Sequence, residues 1–121
     1  MDKNLPGSDM GLIGTWHITK MTSIFQGSTE VFTESQLDSL GIVWEYKFEN
    51  ELSVELTTNI DGPVVIMPGT WSTSDNQLTM ILAGPSGTPG TLVFEYLIEG
   101  NILKLDWNAN ETNYLAEFTK Q

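Results

Sequence analysis

The stretch Trp44-Glu45-Tyr46-Lys47-Phe48-Glu49-Asn50-Glu51-Leu52-Ser53-Val54-Glu55-Leu56 decides the fold. Trp44, Tyr46 and Phe48 fall on one side of an extended chain, and Glu45, Lys47 and Glu49 on the other. After Asn50-Glu51 the pattern resumes, with Leu52, Val54 and Leu56 opposite Glu51, Ser53 and Glu55. A period of two is the period of a half-buried strand, so this stretch reads as two strands joined by a tight turn. The same alternation returns at Leu92, Phe94, Tyr96 and Ile98, at Leu103, Leu105 and Trp107, and at Tyr114, Ala116 and Phe118.

Turn residues punctuate these runs. Asp75-Asn76 and Gly100-Asn101 sit between apolar stretches, where tight hairpins need residues that tolerate positive φ. Asn108 to Asn113 makes a further polar turn, and Ala83 to Thr91, with three Gly and two Pro, reads as a longer connection. Eight strands follow, at about 12–21, 42–49, 51–58, 64–73, 77–83, 91–99, 102–107 and 113–120. Short connections between successive strands imply an antiparallel up-and-down meander, and such a sheet avoids open edges by closing into a barrel. A loose repeat agrees with this. Asn50-x-Leu52-x-Val54-x-Leu56, Asn76-x-Leu78-x-Met80-x-Leu82 and Asn101-x-Leu103-x-Leu105-x-Trp107 lie 26 and 25 residues apart, one hairpin per repeat. One segment breaks the pattern: Thr33-Glu34-Ser35-Gln36 matches a capping box and Gly41 a helix stop, so a short helix or a helical turn is expected between the first two of these strands.

The totals fit one all-β domain over 12–121, preceded by a polar, flexible lead-in over 1–11. That lead-in has no apolar stretch of the signal-peptide kind, and no run in the chain has the length of a transmembrane helix. Sixteen acidic residues stand against five lysines and no arginine, for a net charge of −11. This balance disfavours nucleic acid and anionic membrane surfaces; it suits solubility, or neutral and cationic ligands. The absence of cysteine excludes disulfides, thiolate nucleophiles and Cys-bound zinc in this chain. His17 is the sole histidine and falls on an outward position, so zinc catalysis and nucleophile–histidine chemistry lack parts, and no catalytic residue, cofactor or metal is expected. Asp106-x-Asn108-x-Asn110 with Glu117 echoes a calcium loop, but Glu111 stands where that loop needs glycine, and an Asn-rich hairpin turn accounts for the same residues.

Gly14-Thr15-Trp16 at the head of the first strand resembles the Gly-x-Trp signature of lipocalins and the wider calycin group. With the second Gly69-Thr70-Trp71, Phe48 with Asn50, Asn101 with Leu103, and Phe118, the chain is similar to compact bacterial lipocalin-like domains over roughly residues 12 to 120. Many of those are uncharacterised envelope lipoproteins, so the resemblance implies a cell-envelope or periplasmic location once a leader is removed. It also implies a barrel whose closed end is plugged by Gly14 and Trp16. Lipocalins usually stack a late arginine over that tryptophan; here Lys104 or Lys120 would have to serve. Lacking arginine, the chain also lacks the buried anchors with which fatty-acid-binding relatives hold a carboxylate.

An eight-stranded barrel is filled by its own side chains or holds one small ligand. The candidate lining residues are Lys20, Phe25, Phe32, Trp44, Tyr46, Met67, Met80, Phe94, Tyr96 and Tyr114, with the mouth near Phe25, Phe32, Met67 and the 83–91 connection. Aromatic walls and tyrosine hydroxyls suit a small, mostly apolar ligand, and equally an ordinary core. Lys20 shares its alternation with Trp16 and Ile18, so it either leans inward near the open end, where it would meet an anionic group, or snorkels to water where the first strand bends or ends. Ile81, Val93 and Leu97 fall outward on neighbouring strands; a contiguous patch there would make a homodimer or be covered by the N-terminal segment around Leu5, Met10 and Leu12. Two functions follow: a non-enzymatic binding module for a small apolar ligand, or a structural or interaction protein with a filled barrel and an outer apolar patch.

Overall fold

The computed structural model describes residues 10–59, 62–83 and 89–121. Nine antiparallel strands and one short helix follow in order: β1 Gly14–Phe25, β2 Ser28–Thr33, α1 Glu34–Ser39, β3 Trp44–Phe48, β4 Ser53–Thr58, β5 Val65–Ser74, β6 Gln77–Ala83, β7 Pro89–Glu99, β8 Ile102–Ala109 and β9 Thr112–Lys120. Consecutive strands from β3 to β9 pair as neighbours, β1 pairs with β3, and β1 also pairs with β9, which closes the ring. The eight expected strands are the eight of this barrel, and β2 is an addition to them.

The added strand has a definite place. The lower part of β1, Gly14 to His17, pairs with β3, whereas its upper part, Lys20 to Phe25, pairs with β2 along the same edge. β2 and β3 therefore occupy one position in the ring, and residues 34–43 are an excursion between them. Gln26 and Gly27, with φ of 49° and 81°, turn β1 into β2. Two central residues at positive φ give the turn whose twist suits a two-residue hairpin. α1 lies in the excursion, between β2 and β3. Its capping box forms as its sequence requires: Gln36 N–H donates to Thr33 Oγ1, and Thr33 N–H donates to Gln36 Oε1. Gly41, at φ 72°, follows it. Leu37 is the helix residue that enters the core. Asn59 ties the base of the excursion to β4: Val43 N–H donates to Asn59 Oδ1 at 2.8 Å, Asn59 Nδ2 donates to Gly41 O at 2.7 Å, and Asn59 N–H donates to Val43 O at 3.1 Å.

The core fills one end of the barrel. Leu12, Trp16, Ile18, Tyr46, Phe48, Leu78, Met80, Leu103, Leu105, Ala116 and Phe118 are all buried. Trp16 Nε1 donates to Leu12 O at 2.9 Å, so a short turn over Met10–Leu12 caps this end. Lys120 Nζ stands 5.4 Å from the Trp16 ring centre. The second Gly-Thr-Trp works at the same end. Trp71 Nε1 donates to Glu49 O at 3.3 Å, in the connection between β3 and β4. Gly69 has no room for a side chain, because a Cβ there would run into the carbonyl of Ile81 on β6. Rings then meet in sequence up the barrel: Trp71 with Phe48, Phe48 with Tyr46, Tyr46 with Phe118, Phe118 with Trp44, and Trp44 with Trp107.

Other expectations change. Residues 1–9 of the lead-in, Leu5 included, lie outside the described residues, as do 84–88 of the glycine-rich connection. Leu12 does not cover the outer wall; it is buried under Trp16. Ile81, Val93 and Leu97 are exposed; Ile81 and Val93 are diagonal neighbours across β6 and β7, with Thr91 and Thr79 opposite them, whereas Leu97 lies beyond Glu95 and pairs with Lys104. No helix among the described residues is long and apolar enough to cross a membrane.

Candidate functional site

The end opposite Trp16 is open. A cavity of about 390 Å³ lies there, lined by Trp44 and Tyr46 of β3, Leu56 and Thr58 of β4, Thr91 to Phe94 of β7, and Trp107 and Asn108 of β8. The volume is at the small end of the roughly 300–1,000 Å³ usual for ligand sites. Its walls are mainly aromatic and aliphatic, and none of its lining residues carries a charge. Phe94 and Trp107 meet edge to face at 5.2 Å, and Trp107 stacks on Tyr114 at 5.3 Å. These contacts fix the cavity's aromatic wall, because each ring is held by another.

Two polar groups sit in the inner wall. Tyr46 is buried, and burial pushes its phenol up to about 12, partly offset by the neighbouring Trp44 N–H. Trp44 Nε1 is itself buried and does not reach hydrogen-bond geometry with any acceptor among the described residues. It acts on Tyr46 through space without forming a bond that satisfies it.

The cavity owes its shape to a split in the barrel wall. β7 and β8 pair from Glu99–Ile102 to Glu95–Asp106 and no further, although β7 runs back to Pro89 and β8 runs on to Ala109. The next pairs in register, Phe94 with Trp107 and Val93 with Asn108, are not made. Pairing stops where the two large inward rings come opposite each other. Past that point β7 stays with β6 and β8 with β9. The cavity is consequently lined from both faces of β7, by Leu92 and Phe94 from inside and by Thr91 and Val93 from outside. Tyr96 N–H faces β6, where it donates to Asn76 O. By strand alternation the N–H and C=O groups of Val93 and Thr91 face the split.

Outside the split lies a second hollow of about 440 Å³, lined by Gln77, Val93, Phe94, Glu95, Asp106, Trp107, Asn108 and Asn113. It shares Val93, Phe94, Trp107 and Asn108 with the inner cavity. Asn113 organises it. Its Nδ2 donates to Asp106 Oδ1 at 2.8 Å, to Asn108 Oδ1 at 3.1 Å and to Trp107 O at 3.4 Å. The string that echoes a calcium loop is thus an Asn-clasped hairpin, turned by Asn110 and Glu111 at φ of 51° and 65°. Among the described residues there is no group of three or more metal-ligating side chains.

Of the expected lining residues, Trp44, Tyr46 and Phe94 come together in the cavity, and Tyr114 backs its wall behind Trp107. Met80 is fully buried in the core below. Met67 and Tyr96 pack on that core without lining the cavity. Phe32 lines a shallow groove beside α1, and Phe25 stands 45% exposed at the end of the β1–β2 hairpin. Lys20 needs correction. The β1–β9 register shifts between Ile18 and Lys20, and Thr19 is the extra residue, its hydroxyl donating to Glu117 O at 3.3 Å. The bulge reverses the alternation, so Met21 takes the inward place and Lys20 points outward, its side chain 47% exposed and 3.9 Å from Glu117 Oε2. Trp107, an inward residue by its alternation with Leu103 and Leu105, joins the cavity beyond the expected lining residues. Thr91, Val93 and Asn108 carried no inward signal, because they reach the cavity through the split.

No family model and no curated protein matches the chain. Two solved structures are similar to it. A lipocalin-like protein from Bacteroides uniformis aligns with a TM-score of 0.57 and 19% identity over 91% of this chain and 98% of that one. An uncharacterised protein from Bacteroides eggerthii aligns with a TM-score of 0.56 and 16% identity over 90% and 98%. With its ring closed between β1 and β9, the chain is in fold a lipocalin-like β-barrel domain.

Proposed function

We propose that the protein is a binding module that takes a small, mostly apolar ligand into the cavity between Trp44, Phe94 and Trp107, without catalysis. The observation that carries this reading is the uncharged, aromatic-walled cavity of about 390 Å³ above a solid core. Burying apolar ligand surface there is worth about 25 cal/mol per Å², and this is the favourable term set against the cost of association.

The test is titration with the neutral dye N-phenyl-1-naphthylamine, followed by its emission and by quenching of Trp44 and Trp107. Saturable uptake is expected, and Leu92→Asp, at the partly exposed rim, is expected to weaken it at least tenfold by placing a carboxylate against the ligand. Absence of uptake, with native mass spectrometry showing no co-purified molecule, would sink the idea. A dimer through the exposed Ile81 and Val93 face would then favour the interaction-module alternative.

A further inference from the structure

The two hollows are one site of two chemistries. The inner one is apolar and uncharged. The outer one is rich in acceptors and adjoins the inner at the split between β7 and β8, where the two share Val93, Phe94, Trp107 and Asn108. In the outer hollow Glu95 and Asp106 stand directly opposite each other as the last cross-strand pair. Asn113 spends its amide donor on Asp106, Asn108 and Trp107, and so holds three acceptors in place. None of the lining residues of either hollow is cationic. Lys104, two residues from Asp106 on the same outward face, is bonded to Glu99 at 2.8 Å, and Lys20 lies near Glu117, so neither is bonded to the two carboxylates of the hollow. Two carboxylates placed side by side, with no ion pair to either among the described residues, raise the local negative potential and favour a cation. The net charge of −11 acts in the same direction at longer range.

Resting on the binding reading above, we propose that the ligand is an amphipathic amine lying through the split. Its apolar body fills the inner cavity against Trp44, Phe94 and Trp107. Its ammonium head remains in the outer hollow and donates to Glu95 and Asp106. Passage through the wall lets the body leave water while the head keeps its hydration, the arrangement that burying a charge would forbid. An anionic amphiphile of the same body meets two carboxylates and no cation at that point.

The test compares decylammonium, decanol and decanoate, three ligands with one chain and different heads, each below its aggregation limit, by displacement of N-phenyl-1-naphthylamine from the full chain. Decylammonium is expected to bind about fivefold more tightly than decanol, since a solvent-exposed ion pair contributes up to about 1 kcal/mol. The advantage is expected to shrink in 0.5 M NaCl, and decanoate is expected to be weakest. Glu95→Gln and Asp106→Asn together should remove the advantage of decylammonium over decanol; Glu95→Gln alone, at an exposed position, should reduce it and is the variant to use if the pair disturbs folding. Equal binding of decanol and decylammonium, or tighter binding of decanoate, overturns the amine head and leaves the apolar site standing. Failure of all three to displace a bound dye confines the site to smaller molecules and overturns the through-wall ligand. Failure of the dye itself to bind overturns the binding reading.

Discussion

The Lys120 side chain lies across Gly14 to reach Trp16: its Nζ is 5.4 Å from the indole centre, and a Cβ placed on Gly14 would come within 2.5 Å of Lys120 Cε. The glycine of the first Gly-Thr-Trp thus has two reasons to be glycine, the path of the lysine and its own φ of 135°. Gly14→Ala is expected to cost about 1–3 kcal/mol, the usual range for a side chain forced into strained backbone. In a Lys120→Ala background the steric part disappears and the backbone part remains, so the double variant should be more stable than the sum of the two single losses. Lys120→Met alone should lose only the cation–ring attraction, about 0.5–1 kcal/mol. Urea denaturation of the parent and the four variants measures all of this, and strict additivity would refute the steric account.

Asn59 works as a surrogate strand residue, holding both Val43 and Gly41 at the base of the 34–43 excursion. Asn59→Ala is expected to destabilise the protein by about 1–3 kcal/mol, because a partly buried donor and acceptor lose their partner. Asn59→Asp keeps the bond from Val43 N–H and loses the donor to Gly41, and should fall between the two. The local signature is faster amide exchange at Val43, with the barrel strands β8 and β9 unchanged. An equal rise in exchange everywhere would show that Asn59 serves global stability and has no particular hold on the excursion.

The stability of the barrel should fall in alkali through Tyr46. Its folded phenol is pushed up to about 12 from an ordinary 10.0, by burial. A raised folded value means the stabilisation is complete below pH 10 and is lost as the pH climbs toward 12, while the unfolded chain has already given up its proton. Two pH units correspond to about 3 kcal/mol. Tyr46→Phe should therefore flatten the decline of urea stability between pH 10 and 12 relative to the parent. Parallel declines in the two proteins would assign the alkaline loss to other groups.

Sequence periodicity reached the ring of eight strands because those strands bury one face and wet the other. It missed β2 because Ser28–Thr33 buries neither face fully; only Phe32 is withdrawn from solvent, and alternation has nothing to report. The cue that survives is the turn Gln26-Gly27, whose two residues stand at positive φ. Lys20 was misplaced because a bulge adds a residue without changing composition, so alternation continued past Thr19 assigns every later side chain of β1 to the wrong face. The site was half legible. Trp44, Tyr46 and Phe94 follow from period two. The split that admits Val93 and Asn108 follows from a pairing that stops early, which is a property of two strands together and is written in neither.

That split can be closed chemically. In the register set by Glu95–Asp106, Val93 and Asn108 would be the second pair beyond it, and residues so paired have Cα atoms about 4.5–5.5 Å apart, within the range a disulfide spans. The chain has no cysteine of its own, so Val93→Cys with Asn108→Cys creates a single dithiol with no competing partner. Oxidation should draw β7 against β8, extend their ladder by two pairs and shut the path from the outer hollow to Trp44. Reduced, the variant is expected to bind N-phenyl-1-naphthylamine like the parent; oxidised, it should lose uptake, or slow it at least tenfold, and recover it with dithiothreitol. Because the bridge also restrains the unfolded chain, the oxidised form should melt higher even as it binds less. Unchanged uptake in a protein shown by mass to be fully oxidised would mean that ligands enter elsewhere, past the β1–β2 hairpin.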